Sequence, residues 1–195
     1  MKIIGLTGGI GSGKTTIANY FEAWGIPFYK ADAEAKKLMN ASAYIKRELI
    51  NLFGEKAYVD GELNKTYLSH KIFSNQELLK KMNAVVHPKV AEHFKKWVKQ
   101  QKAPYVIKEA AVIFENNLQD QYDYVITVVA DENERIKRVT ARDNSSQDKV
   151  KAIINNQWSD QEKIKHSDFV IYNNDREEAK AQAKKIHDIL CAQAT

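Results

Sequence analysis

The sequence predicts an α/β fold of three layers, with helices on both faces of a parallel five-stranded sheet. Three observations carry that expectation. Short apolar runs recur along the chain at residues 2–7, 27–30, 105–109, 124–130 and 169–172. Much longer stretches of helical periodicity separate them, the alternation of a parallel sheet with crossover helices. The first run leads straight through a glycine-rich turn into a helix, the strand-to-helix junction at which such sheets bind their ligands. A length of 195 residues suits one compact domain, so a single domain over 1–195 is expected.

Taken in order, Lys2-Ile3-Ile4-Gly5-Leu6 reads as the first strand, and residues 14–23 as a helix with Ile17, Ala18 and Phe21 on one face. The second strand ends at Asp32. From 32 to 101 the pattern is almost wholly helical, with helices expected at 33–40, 44–53, 67–73, 78–83 and 88–101. Small polar turns such as Val59-Asp60-Gly61-Glu62 separate them. This reads as a helical insertion between strands two and three, the natural place for a second substrate. From about 133 to 157 two helices flank Arg142-Asp143-Asn144-Ser145-Ser146, a polar hairpin suited to a small lid. Internal repeats and low-complexity segments are absent from the sequence.

The glycine-rich turn is the most specific feature. Gly8 to Thr15 satisfy the pattern G-x-x-x-x-G-K-[ST], and four of the chain's eight glycines lie inside it. Glycines let such a loop turn tightly, with its N–H groups aimed at phosphate oxygens and the positive end of the next helix behind them. Lys14 is then expected to reach the β- and γ-phosphates of a nucleoside triphosphate, and the Thr15 hydroxyl to hold Mg²⁺. No second glycine-rich phosphate loop exists further along.

Composition bounds the alternatives. Hydrophobic content of 44% and charged content of 28% are those of an ordinary soluble globular protein. The single cysteine, Cys191, rules out an internal disulfide framework and points to a reducing cytoplasm, with the thiol inert on the last helix. No apolar run approaches a membrane span, and the first one breaks at Thr7-Gly8-Gly9, too early for a signal peptide, so neither membrane nor export is expected. The net charge of +5 permits nucleic-acid binding but equally suits substrates carrying several phosphates. No recognition motif or dense basic tract favours nucleic acid, and none is expected as a partner.

Several side chains are candidates for chemistry. Asp32, at the end of the second strand, is placed to accept the proton of an attacking hydroxyl, or else to cap the helix that follows. Glu109 ends the third strand, where acids steady Mg²⁺ or its waters; a salt bridge is the alternative. Arg135, Arg138 and Arg142 share one helical face. Like charges at i, i+4 cost helix stability unless an anion lies between them, and a triphosphate is such an anion. Arg138 and Arg142 are therefore read as phosphate ligands, with a Glu134–Arg138 pair as the alternative, and Arg135 as solvated. His87-Pro88 is expected to open the helix at 88, with proline at its first position.

Together these motifs resemble the dephospho-CoA kinase family over nearly the whole chain. The resemblance rests on Gly5-Leu6-Thr7-Gly8-Gly9-Ile10-Gly11-Ser12-Gly13-Lys14-Thr15, Ala31-Asp32, Met82-Asn83-Ala84-Val85-Val86-His87-Pro88 and Val112-Ile113-Phe114-Glu115. It extends through Arg138, Arg142-Asp143, Gln157, Lys163 and Asp168-Phe169-Val170-Ile171-Tyr172-Asn173-Asn174. It implies a P-loop core of the nucleoside monophosphate kinase type and ATP-dependent phosphorylation of the ribose 3′-hydroxyl of dephospho-CoA. Catalytic roles then fall to Asp32, Lys14, Arg138 and Arg142. ATP contacts fall to Gly9, Gly11, Ser12, Gly13, Lys14, Thr15, Thr16, Arg142 and Asn173, with Mg²⁺ on Thr15. Substrate contacts fall to Asp32, His87 and Glu115. The chain departs from the family's usual residues at Lys30, Asn64-Lys65, Met82, Ala111 and Asp175.

Overall fold

The computed structural model describes residues 1–73 and 75–193; residues 74, 194 and 195 of the expected 1–195 domain lie outside the described set. It forms two compact units, Met1–Lys30 with the chain from Gln101 on, and Ala31–Gln100.

The first unit opens with β1 (Lys2–Thr7), the loop 8–13, α1 (Lys14–Ala23) and β2 (Phe28–Lys30). The chain then builds the second unit, α2 (Ala31–Ala41), α3 (Ala43–Phe53), the strands β3 (Tyr58–Val59) and β4 (Glu62–Leu63), α4 (Lys65–Phe73) and α5 (Gln76–Lys99). It returns through β5 (Tyr105–Glu109), β6 (Tyr124–Val129), α6 (Glu132–Asp143), α7 (Gln147–Asn155), α8 (Asp160–Lys165), β7 (Phe169–Tyr172) and α9 (Arg176–Ala192).

The first unit is the expected fold: an all-parallel five-stranded sheet in the order β2-β5-β1-β6-β7, with helices on both sides. Central strands buried on both faces read as unbroken apolar runs, and Val125 to Val129 are five consecutive buried residues. Ile4, Leu6, Ile107, Ile126 and Val128 pack with Ile17, Ala18 and Phe21 of α1 and with Ala179, Ala183, Ile186 and Leu190 of α9. Both helices repeat their buried residues every three or four positions, the stripe a core-facing helix needs.

Two aspartates set the strand register at the amino ends. Asp123, just before β6, accepts from the Ile3 amide at 2.7 Å. Asp168, just before β7, accepts from the Val125 amide at 2.7 Å. Each satisfies a backbone donor at a strand's entrance that the ladder leaves unpaired. At the opposite end the loop after β1 lies between strands leading left and right, the switch point at which open α/β sheets bind ligands.

The second unit corrects two expectations. Residues 59–62 are not a turn in an all-helical stretch but the tip of an antiparallel hairpin, β3 with β4. Asp60 and Gly61 both have positive φ, 50° and 81°, as the Asp-Gly pair of a type I′ hairpin requires. Nor do 78–83 and 88–101 form separate helices: α5 runs through both, with Pro88 inside it rather than at its start. Buried Val86, Val90 and Phe94 recur every fourth residue across the proline, so packing against α2, α3 and α4 holds one helix together despite the lost hydrogen bond. Asn64, at one of the positions that departs from the family, accepts from the Tyr67 amide at 3.1 Å at the start of α4. Asp175, another, caps α9 by accepting from the Glu177 and Glu178 amides.

Candidate active site

The loop from Gly8 to Gly13 turns from β1 into α1 with positive φ at Gly8, Gly11 and Gly13. Gly13 occupies the cap position of α1 with φ 95° and supplies no side-chain acceptor, so the first amides of the helix have no cap. A helix start of this kind presents its donors, and the positive end of its dipole, to an anion. Gly13 must be glycine for a second reason: a Cβ there would sit 2.0 Å from Asn173 Nδ2.

Lys14 lies back across the loop, its Nζ donating to the carbonyls of Gly8 at 2.9 Å and Gly9 at 3.3 Å. Thr15, beside it in the first helical turn, is exposed, and Thr16 is half-buried. Ser12 is fully buried, its Oγ without a hydrogen-bond partner.

β7 and α6 brace the loop. Asn173, 4% exposed, donates through Nδ2 to Ser12 O at 2.8 Å, while its own carbonyl accepts from Arg138 at 2.9 Å. The structure therefore brings Lys14, Arg138 and Asn173 together around the loop. Arg142 has a different partner: two-thirds exposed at the end of α6, it donates twice to the Asp143 carboxylate, at 2.7 and 2.8 Å. The guanidinium holds the Asp143 carboxyl below the usual carboxylate range, and the pair raises Arg142 in turn. Both residues belong to α6, so only residues 144–146 join α6 to α7. Glu134 pairs with Lys137 at 2.8 Å rather than with Arg138.

Arg135 is the clearest correction. Expected to be solvated, it is 5% exposed, donates through Nε to Ile10 O at 2.9 Å and pairs with Asp160 at 2.9 Å. It stands four residues before buried Val139, a signal in the helical spacing that its charge obscured. Asp160 carries no signal of its own in the sequence, because its partner lies on another helix.

Glu115 is also committed within the protein. Its Oε1 meets the fully buried Lys163 ammonium at 2.7 Å and accepts from the Trp158 amide at 3.0 Å, while its Oε2 is buried without a hydrogen-bond partner. Lys163 also reaches Ala111 O at 3.4 Å, the carbonyl to which Thr7 donates at 3.3 Å. Glu109 ends β5 in register with Leu6 and Lys30.

Asp32 and His87 belong to the second unit. Asp32 is exposed in the first turn of α2, which begins at Ala31, so it stands inside the helix and is not its cap. An acid there still favours the helix dipole. His87 is exposed on α5, one residue before the internal proline.

Residues 2–179 match the family model described as dephospho-CoA kinase. The dephospho-CoA kinase of Bacteroides fragilis strain YCH46 is 37% identical over 172 residues, covering 88% of this chain and 84% of that protein. A crystal structure of a Thermus thermophilus protein superposes with a TM-score of 0.89 at 34% identity, covering 96% of both chains. The dephospho-CoA kinase of Campylobacter jejuni shares the fold at TM-score 0.70 and 23% identity, over 99% of this chain and 98% of that one.

Proposed function

Since the chain belongs to the dephospho-CoA kinase family, which phosphorylates dephospho-CoA with ATP to complete coenzyme A, we propose how its own residues carry that transfer. The observation that carries the proposal is the uncapped start of α1 behind a glycine loop at the carboxyl end of β1.

The triphosphate of ATP lies on this loop. The amides after Gly13 and the ammonium of Lys14, released from the carbonyls of Gly8 and Gly9, take its charge; Gly9, Gly11, Ser12 and Thr16 shape the cradle. Arg138, fixed through Asn173, supports the phosphoryl group in flight, and Arg142 joins it by exchanging Asp143 for phosphate. The acceptor is the ribose 3′-hydroxyl. Its oxygen forms a bond to the γ-phosphorus as the bond to the β–γ bridging oxygen breaks, ADP leaves with that electron pair, and the proton passes to the Asp32 carboxylate. Such a transfer depends on positioning and charge stabilisation, which these residues provide.

Mg²⁺ fits the donor set. It needs one or two protein ligands beside phosphate and water, and an exposed Thr15 hydroxyl at the first turn supplies one. Among the described residues no group of three His, Cys, Asp or Glu is placed to hold a metal ion. When bound, it neutralises charge shared by the β- and γ-phosphates.

We assign residues 32–101, with His87, to the acceptor, and about 133–157 to the lid. Glu115 serves the acceptor by ordering the segment after β5 through Lys163. Among the described residues no helix is long and apolar enough to cross a membrane, and the cytoplasm suits the one thiol.

The test is ATP turnover with dephospho-CoA against a panel of nucleoside monophosphates. Dephospho-CoA is expected to be preferred by at least about a hundredfold in kcat/KM, as for a site built around a particular polar acceptor. A comparable rate with any nucleoside monophosphate would overturn the acceptor assignment.

A further inference from the structure

The phosphate loop is gripped at one residue, Ile10, through the peptide groups on either side of it. The Ile10 carbonyl accepts from Arg135 Nε at 2.9 Å, and the Ile10 amide donates to Gln157 Oε1 at 2.9 Å. The Ile10 side chain packs against the buried cluster of Ile136, Val139 and Val150 on α6 and α7. The contact continues along the loop: a Cβ on Gly9 would lie 2.1 Å from an Arg135 terminal nitrogen, and one on Gly11 2.6 Å from the Arg135 carbonyl. Asp160 in turn holds the guanidinium at 2.9 Å, so a charge that is 5% exposed is not left unpaired.

This arrangement answers a physical problem. A loop whose glycines face amides into one concavity has aligned dipoles that repel one another when no anion lies between them, and glycine gives it many other conformations to adopt. We propose that Arg135, held by Asp160, is a positioning residue that keeps the loop in its triphosphate-binding shape through the Ile10 carbonyl, with Gln157 completing the grip. The inference rests on the reading that this loop binds ATP. Apparent affinity is the intrinsic affinity scaled by the fraction of loops already in the binding shape, so loosening the grip weakens ATP binding and spares the rate once ATP is bound.

The covalent skeleton supplies a clean pair of variants. In Arg135→Gln the amide nitrogen stands at the same place along the side chain as Nε and keeps the donor to Ile10, while the ion pair with Asp160 is lost. In Arg135→Met a methyl group stands there, with similar reach and no donor. ATP dissociation constants are read by calorimetry without acceptor, beside kcat and the ATP KM with dephospho-CoA. Arg135→Met is expected to raise both Kd and KM roughly tenfold with kcat changed less than about threefold, and Arg135→Gln to restore most of the affinity.

An Arg135→Met protein that melts lower yet binds ATP like wild type would overturn the inference, as would a Gln variant no better than Met. Should the Met variant not fold, Asp160→Asn, which frees the guanidinium, is read instead: about threefold weaker ATP binding supports the proposal, and unchanged binding overturns it. Wild-type protein that binds ATP but does not phosphorylate dephospho-CoA would overturn the proposed function while leaving this grip standing.

Discussion

Asp32 shows how far one residue's role depends on where its helix begins. As a cap it would answer to a backbone amide; as the second residue of α2 it adds only a negative charge to the helix's positive end, worth about 0.3–1 kcal/mol. Asp32→Asn removes that charge at nearly constant volume, so the melting temperature is expected to move by a few degrees at most and ATP affinity not at all. Loss of a general base typically costs about 10²–10⁴-fold in rate. The expected result is therefore kcat with dephospho-CoA at least about a hundredfold below wild type in a protein that still binds ATP. A kcat within a few-fold of wild type removes Asp32 from the centre of the mechanism.

At the scale of an element, α5 is held by its surroundings against its own sequence. A proline inside a helix lacks the amide that would bond the carbonyl four residues back, here Ala84, and its ring crowds that carbonyl, at about 3 kcal/mol or more. Val86, Val90 and Phe94 sit on the opposite account, three buried side chains on one face, each worth about 1.5–3 kcal/mol on burial. Pro88→Ala is expected to raise stability by up to about 3 kcal/mol, read as a higher urea midpoint at unchanged m. An equal or lower midpoint would show that the packing already relieves the ring. The hairpin tip at Asp60-Gly61 is the converse case, where two residues set the turn and the strands beside it are only two residues each.

The first unit as a whole carries a titration at the edge of its core, at a half-buried histidine. His187 on α9 bonds Tyr105 at 2.8 Å, with Trp24, Phe21 and Cys191 around it and Lys184 and Asp188 on its own helix. Burial, with Lys184 adding to it, lowers its pKa below the ordinary 6.5. With the folded value depressed, the unfolded chain binds the proton more readily, so this stability is complete above pH 6.5 and is lost as pH falls through the folded value. The exposed carboxylates of Glu134, Asp143 and Glu162, held low by their neighbours, and of Glu92, held at about 2, act in a separate and more acidic window. Calorimetric melts at constant ionic strength are expected to give a lower transition temperature at pH 5.5 than at pH 7.5, and His187→Gln to flatten the difference. Equal wild-type transitions at the two pH values would rule His187 out as the source.

The amino-acid sequence alone determined the parallel sheet, the phosphate loop, α1 and the family, because those depend on local signals: unbroken apolar runs, glycines at fixed spacing, a three-to-four-residue stripe. β1, α1, β5 and β7 have the expected ends to the residue. Tertiary structure decided the rest. Whether Arg135 faces water or a loop depends on Asp160 and Ile10, which are 25 and 125 residues away in the chain. Whether Pro88 starts a helix or interrupts one depends on what its neighbours bury. Lys163 is completely buried because Glu115 waits for it there. A charge or a proline states a local cost in the sequence; only the folded chain shows which distant partner offsets it.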